Sequence, residues 1–514
     1  MSILNPSKGV DYYVFLAKEN YCVKYKAPSD LGFSHSDKIF HYQDDVLMQT
    51  NHIEISKIDI SLWNKSGRLE WKVYDKDNDD EDNKIAGKYI DINPGTGNVG
   101  SSNIEPTLQE NSIVNKDNNY AISYGFYDAS SGDFSALTNY DQSYVYVTPC
   151  MSNWMGDLVA FNAKYGLCKF SNFALAGSHD AGMYNNSEAM KLMKNKEYTT
   201  FLSKSSEDFL TNHGVKLDDD AKQNIKDYIK LFQKLVATGG ENIIVNLAMT
   251  QKDDISMQLD LGTRFFDIRP GFCSYADSFV LPTKVSQATG INNLYHQHAL
   301  VPGMSFDQIL NEALNWLDKN KKEIIVMNLN FQGFILETMK PTPQFLDDYI
   351  NNVISELKIT ISIGSKADLN TSYNDLIKNH KRLIFLNQIG ESTDAQKYDS
   401  YNNTYKTTNA DVIIDALNSM NKNGQKESDY TVLQLQGTAN GIISDIVDSS
   451  ATFSKLTSPL MSTKANFDTK TYPWIHENVH KNFEKDQLIV FLNDFSENAL
   501  AQQSCWITQK RMDN

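Results

Sequence analysis

Cysteine is scarce. The five present, Cys22, Cys150, Cys168, Cys273 and Cys505, stand far apart, are odd in number and form no CxxC pair. That excludes a disulfide framework or a zinc knuckle as the organising device and leaves buried free thiols as the plain expectation. Long apolar runs are missing as well: no stretch of 18 or more occurs, and the opening MSILNPSKGVDYYVF lacks a basic region followed by an apolar run of secretory length. The expectation is therefore no signal peptide and no transmembrane segment, with residence in the cytoplasm or export by a non-classical route. Cations are also in deficit, 48 Lys and Arg against 64 Asp and Glu, for a formal net charge of -16. A surface of that sign has little to offer a polyanion, which argues against nucleic acid as a partner. It also weakens approach to anionic membranes unless calcium or an apolar patch compensates.

What is present is enough to build cores. The apolar fraction is 41% and there are six Trp, 26 Tyr and 25 Phe in 514 residues, a length that exceeds one hydrophobic core and predicts several domains. Residues 1–150 read as an all-β, sandwich-like accessory domain. RLEWKVYD alternates Leu69, Trp71 and Val73 with Glu70, Lys72 and Tyr74, and IEISKIDISLW, KYIDI and SYVYV have the same sheet character. DNDDEDN and NPGTGNVGSSN between them suit turns.

Residues 151–514 change texture: short apolar strands alternate with amphipathic helices. From Ser305, with Gln308 completing a capping box, Phe306, Ile309, Leu310, Ala313, Leu314 and Leu317 share one helical face. NFALAGS, TRFFDIR, NNLYHQH, EIIVMNLN, RLIFLNQ, YTVLQLQG and QLIVFLNDF are the expected strands, with ITISIG as an eighth. Their near-continuous apolar character predicts burial on both faces, and their number fits an α/β fold of (β/α)8 type, a TIM-like barrel. Residues 188–245 break the alternation and read as a helical insertion ending at Gly239 and Gly240.

Polar residues gather at the exits of the expected strands: His179 and Asp180 after the first, Asp267 and Arg269 at the second, His296 and His298 at the third. Active sites of barrels form at that end. A phosphodiester needs a base for the attacking hydroxyl, an acid for the leaving oxygen and a cation beside the phosphate. Histidine titrates near neutrality and arginine grips phosphate in a fork, so these side chains supply all three. The bland alternative for each His is a buried structural residue, and for Asp267 with Arg269 an ion pair closing a strand end.

The segments FALAGSHDAGMY, MTQKDDISMQLDLGTRFFDIRPG and LYHQHALVPGMSFDQILNEALNWLDKNKKEIIVMNL resemble, in order and spacing, the catalytic domain of bacterial phosphatidylinositol-specific phospholipases C, X-domain phosphodiesterases. The resemblance covers about residues 165–335, and the rest of the barrel only through the Asp494–Phe495 pair. It implies a distorted TIM-type barrel and cleavage of a phosphatidylinositol headgroup to diacylglycerol and a cyclic inositol phosphate. It further implies His179 as general base, Asp494 as the carboxylate that orients it, Arg269 as the phosphate clamp and Asp180 as the partner of the acid. The family writes the last histidine element as HG, whereas this chain has HQHA; His298 keeps the better spacing to Ser305 and is preferred over His296 as acid. Eukaryotic relatives carry Asn after the first His and a carboxylate in place of Arg269, and bind calcium. Asp180 with Arg269 is the bacterial pattern and implies no cofactor in the barrel.

Departures bear on the substrate. Where the family holds inositol with a Lys on the fourth strand and an Arg on the next, this chain has Asn330 and Gln388. With Gln436 and His296 they make up the candidate headgroup contacts; a buried amide bridging two strands is the alternative for Gln436. In the N-terminal module, WKVYDKDNDDEDNKIAGKYIDI resembles the third calcium loop of synaptotagmin-type phospholipid-binding domains, with Asp75, Asp77 and Asp82 as candidate ligands and a solvated acidic turn as the alternative. The expected partners are a phospholipid membrane surface, met peripherally, and a phosphodiester headgroup. Two rivals stay open: a non-catalytic lipid- or glycan-binding protein on the same barrel, and a phosphodiesterase for another phospholipid headgroup.

Overall fold

The computed structural model describes residues 9–29, 34–54, 67–75, 81–92, 111–127, 141–185, 248–272, 294–298, 301–332, 334, 340–387, 395–402, 405, 407–420, 422–437 and 460–513. The expected insertion at 188–245 lies outside them. The N-terminal strands are β1 (Gly9–Leu16), β2 (Cys22–Ser29), β3 (Ser34–His41), β4 (Gln49–Glu54), β5 (Gly67–Tyr74), β6 (Lys84–Ile92), β7 (Ile113–Asn115), β8 (Tyr120–Tyr127) and β9 (Asp141–Thr148). They form one sheet in the order β4-β1-β9-β8-β7 and another in the order β3-β2-β5-β6. The alternation of RLEWKVYD is realised: Leu69, Trp71 and Val73 are buried and join Val10, Tyr12, Val14 and Tyr25 in a core between the sheets. Tyr12 stacks on Tyr25 at 4.0 Å between ring centres.

The first of these sheets is buried on both faces. Tyr13, Phe15, Tyr144 and Tyr146 point away from that core and join a second one with Met461, Ala465 and Phe467, from the helix Met461–Asn482. The β1 strand thus alternates between two interiors rather than between an interior and water.

The remaining strands are β10 (Ala174–Ser178), β11 (Phe265–Ile268), β12 (Pro270–Phe272), β13 (Leu294–His298), β14 (Val301–Ser305), β15 (Ile325–Leu329), β16 (Ser362–Gly364), β17 (Lys381–Asn387), β18 (Lys397–Asp399), β19 (Tyr430–Gln434) and β20 (Leu488–Asn493). Eight of them make one sheet in the order β16-β17-β15-β11-β10-β20-β19-β18, parallel at every junction. This eight-stranded parallel sheet is a half-barrel; among the described residues no pairing joins its edge strands β16 and β18, so the closure expected of a (β/α)8 barrel is not seen there. Complete burial of β10, β11, β15, β19 and β20 accounts for their unbroken apolar runs.

One expected barrel strand is not in that sheet. NNLYHQH forms β13, the middle of a small antiparallel sheet with β12 and β14, and the eighth parallel position is taken by β18, a three-residue strand too short to announce itself in the sequence. The hairpin partner VPGMS follows β13 after two residues, so the chain turns straight back on itself. The helix Phe306–Lys319 begins as expected, with Ser305 accepting from the N–H of Gln308 at 3.3 Å and its apolar face buried. Of the four described cysteines all are free thiols, but only Cys22 is buried.

A fully buried ion pair fixes the floor of the sheet. Arg264 donates from Nε to Glu323 at 2.9 Å and from its terminal nitrogens to the carbonyls of Leu259, Thr263, Met151 and Ser152, while Glu323 accepts from the N–H of Gly156 at 2.9 Å. Removing one member leaves the other charged and dry. Glu323→Ala is expected to cost about 3–5 kcal/mol in chemical denaturation, and a loss near zero would show that the pair is not buried as described.

Candidate active site

The end of β10 lies between β11 and β20, and that placement assembles the site. The N–H of His179 donates to the carbonyl of Asn493 at 3.0 Å, carrying the β10–β20 pairing one step past Ser178 and Asn493. This sets His179 beside Asp494, and Nδ1 of the ring meets Asp494 Oδ1 at 2.8 Å. Asp180 and Phe495 have φ of +43° and +48°, left-handed values that cost a side-chain-bearing residue and concentrate at working sites. The glycine of HDAG is required by contact: a Cβ on Gly182 would stand 2.5 Å from Cβ of His296.

Asp180 is the hub. Its Oδ1 lies 2.8 Å from Arg269 Nε and 3.3 Å from His296 Nε2. Its Oδ2 lies 3.4 Å from His179 Nε2 and 3.7 Å from His298 Nε2. Three imidazoles and a guanidinium therefore meet around one carboxylate with no exposed surface. Arg269 reaches further, with a terminal nitrogen 3.2 Å from His179 Nε2 and 3.0 Å from Asp267 Oδ2. Donor atoms of His179, Asp180 and Asp267 lie within 4.8 Å of one another, the spacing of a cation site, and the guanidinium sits within hydrogen-bond reach of all three.

Charge follows from this arrangement. Burial works against ionisation of Asp180, but Arg269, His179 and His296 hold its pKa well below the usual carboxylate range. Burial likewise disfavours His179 as a cation, yet Asp180 and Asp494 outweigh it and raise its pKa to about 9. For His298 burial prevails over Asp180 and the pKa falls to about 4; its side chain keeps 28% exposure, so water softens that fall. The neighbouring carboxylates thus favour a protonated His179, whose Nε2 then donates to Asp180 Oδ2 rather than accepting from Arg269, and burial favours a neutral His298.

The two histidines of β13 have different surroundings. His296 is fully buried, accepts the N–H of Arg269 at Nδ1 over 3.2 Å and faces Asp180 with Nε2, so both ring nitrogens are engaged. His298 has a buried Nδ1 with no hydrogen-bond partner among the described residues. Asp267 accepts from Asn328 at 3.3 Å and Asn330 at 2.6 Å and pairs with Arg269 at 3.0 Å, the contact that the bland alternative for these two residues describes. Asn330, a candidate headgroup contact, instead has its amide nitrogen on Asp267 and its oxygen on the N–H of Gln332. Gln436 donates to Gln434 at 2.8 Å and leaves its own buried oxygen without a partner among the described residues. Gln388 lies outside the described residues, as does Asp77; Asp75 is exposed and accepts from Asn20 at 3.0 Å, and Asp82 is exposed in the turn Glu81–Asn83.

Sequence reasoning missed the residues that brace the site. Thr250 Oγ1 donates to the carbonyl of Asp180 at 3.0 Å, and Gln251 Nε2 donates to that of His179 at 2.7 Å, while its Oε1 accepts from the N–H of Ser496. They lie in MTQKDD, where nothing but the resemblance drew attention. Lys397 on β18 was also missed; it pairs with Asp399 at 2.7 Å and lies close enough to help hold down the pKa of Asp267.

No family model matches the chain. PI-PLC X domain-containing protein 1 of Danio rerio is 33% identical over 121 residues, which are 23% of this chain and 35% of that protein. This chain resembles the PI-PLC X-domain family. The match spans about a third of the length of the curated PI-PLC relative. Among solved structures, the phosphatidylinositol-specific phospholipase C of Staphylococcus aureus aligns at a TM-score of 0.39 and 16% identity over 69% of this chain and 97% of that one. The Listeria monocytogenes PI-PLC aligns at 0.37 and 14%, over 70% and 98% respectively.

Histidine-resolved NMR titration of the ligand-free protein is expected to give a midpoint near 9 for His179 and near 4 for His298. The linked stability has opposite signs: His179 stabilises below its ordinary 6.5, and this is lost as pH rises through about 9. His298 stabilises above 6.5, and this is lost as pH falls through about 4. Coincident midpoints for the two rings would contradict the asymmetry.

Proposed function

We propose that the chain is a phosphodiesterase that cleaves the headgroup of phosphatidylinositol-type phospholipids. The observation that carries the reading is the meeting of His179, His298 and Arg269 around Asp180. In the first step His179 takes the proton of the inositol 2-hydroxyl, whose oxygen attacks phosphorus. The bond from phosphorus to the diacylglycerol oxygen breaks, and His298 protonates that oxygen, releasing diacylglycerol and a cyclic inositol phosphate. Arg269, charged throughout, stabilises the negative oxygens, while Asp494 fixes the ring of His179.

The resting charges are those the pair would carry after this step, with the proton on His179 and none on His298. They suit hydrolysis of the cyclic ester, in which His298 takes a proton from water and His179 returns one to the inositol oxygen. For the first step the phosphodiester anion has to draw a proton onto His298 while His179 gives one up. Because kcat/KM reports the free protein, its pH profile is expected to fall below about 4, where His298 becomes charged, and above about 9, where His179 loses its proton. A rate flat through both values would sink the paired-imidazole mechanism.

Recognition of the headgroup falls, in this reading, to the buried oxygen of Gln436 with Lys397 and Asp399 nearby on β18. The commitment of Asn330 to Asp267 favours a second possibility, another phospholipid headgroup. Peripheral contact with the membrane, aided by calcium on the loop of Asp75, Asp77 and Asp82, belongs to the same proposal. Among the described residues no helix is long and apolar enough to cross a membrane. Turnover of labelled phosphatidylinositol and phosphatidylcholine vesicles, with and without chelator, tests these points together. Phosphatidylinositol is expected to be the substrate, chelator to slow vesicle turnover without abolishing cleavage of a soluble phosphodiester, and His179→Ala to lose at least about a hundredfold in rate. Near-normal rates in that variant remove His179 from the chemistry.

A further inference from the structure

The strand end that carries Asp494 is gripped from a side that the phosphodiester chemistry does not use. Lys464 and Asp468 of the helix Met461–Asn482, together with Tyr472, Glu497 and Tyr146 of β9, form a polar cluster without exposed members. Lys464 pairs with Asp468 and lies 3.4 Å from Glu497, and Tyr472 donates to Glu497. Tyr146 donates across the boundary between the N-terminal sheet and the barrel to Asp468 Oδ2 at 2.9 Å. The other carboxylate oxygen of Asp468 accepts from Asn493 Nδ2 at 3.1 Å, and Asn493 Oδ1 accepts the N–H of Asp494 at 3.0 Å. The carbonyl of the same Asn493 receives the N–H of His179. Both members of the His179–Asp494 pair are thus anchored on one asparagine, and that asparagine is anchored on Asp468.

Stability alone is a poor account of this cluster. Burying an ammonium and two carboxylates carries a desolvation penalty that apolar side chains of similar volume avoid. Its hydrogen bonds, moreover, form a continuous chain in which Tyr146 of β9 and Asn493 both donate to Asp468 and the N–H of Asp494 donates to Asn493, ending at the turn whose Phe495 is held at a left-handed φ.

We infer that the Lys464–Asp468–Glu497 cluster is a positioning device for Asp494, and through it for His179, and that Tyr146 makes the N-terminal sheet part of the catalytic centre. The inference rests on the reading of Asp494 as the group that orients His179. Asp468, Asn493 and Tyr146 are positioning residues in this scheme, since none of them touches the reacting atoms. The groups facing Asp494 are His179, Asp180 and Lys464; burial raises its pKa, and Lys464 is one of the charges that oppose the rise. Those facing His179 are Asp180, Asp494 and Arg269.

The test is NMR on the full chain, comparing wild type with Asp468→Asn and Tyr146→Phe. Wild type is expected to show a strongly downfield Nδ1 proton for His179, hydrogen-bonded to Asp494. In Asp468→Asn that signal is expected to be lost or displaced upfield and the His179 midpoint to fall, because the bond that helps raise it is loosened. Tyr146→Phe, which deletes one hydroxyl and keeps the ring packing, is expected to shift both readouts in the same direction by less, and it decides the matter if Asp468→Asn does not fold. An unmoved signal and midpoint in the folded variants, with only the melting temperature lowered, would make the cluster purely structural and overturn the inference while leaving the phosphodiesterase reading intact. If wild type lacks the signal and Asp494→Asn leaves the His179 midpoint unchanged, the orienting pair itself is wrong, and the inference falls with it.

Discussion

A carboxylate with no access to water survives as an anion only when cations surround it, and the strand ends that carry the candidate site are organised around that requirement. Asp180 sits between Arg269 and three imidazoles, and each neighbour is placed by what Asp180 needs as much as by what a phosphate would. The guanidinium is divided between Asp180 and Asp267, which is held in turn by Asn328 and Asn330. His296 is drawn into the interior, with both ring nitrogens occupied. His298, one side chain further along β13 on the same face, keeps partial contact with water. Burial of a single charge thus divides one HQH triplet into a fully buried histidine and one that keeps contact with water.

The same constraint accounts for the unequal histidines. His179 touches two carboxylates, so attraction outweighs burial, whereas His298 approaches only Asp180, at a longer distance, and burial prevails. In the proposed reading, two imidazoles with divided pKa values beside a fixed cation serve as the acid–base pair. That chemistry is a property of the cluster rather than of any one member.

Long-range support comes from unexpected parts of the chain. Thr250 and Gln251 brace the backbone of both the His179 turn and the Asp494 turn. The first N-terminal sheet is buried on both faces, so residues on either side of position 150 contribute to one continuous interior. Its alternate side chains belong to two different cores, which a period-two pattern cannot reveal, because tyrosine and phenylalanine point in both directions.

Much was legible in the residues themselves. Unbroken apolar runs marked the buried parallel strands, Ser305 with Gln308 marked a helix start, and HDAG and FDIR marked strand ends, because each of these is a local rule enforced by backbone sterics and desolvation. The hairpin of β13, the three-residue β18 and the different burial of His296 and His298 were not, since they depend on which segments lie side by side. Sequence determined which groups could take up a proton or hold a phosphate. Only tertiary packing decided which of them would be charged, because a pKa is set by the distance to other charges and by the exclusion of water, and neither quantity exists until the strands are neighbours.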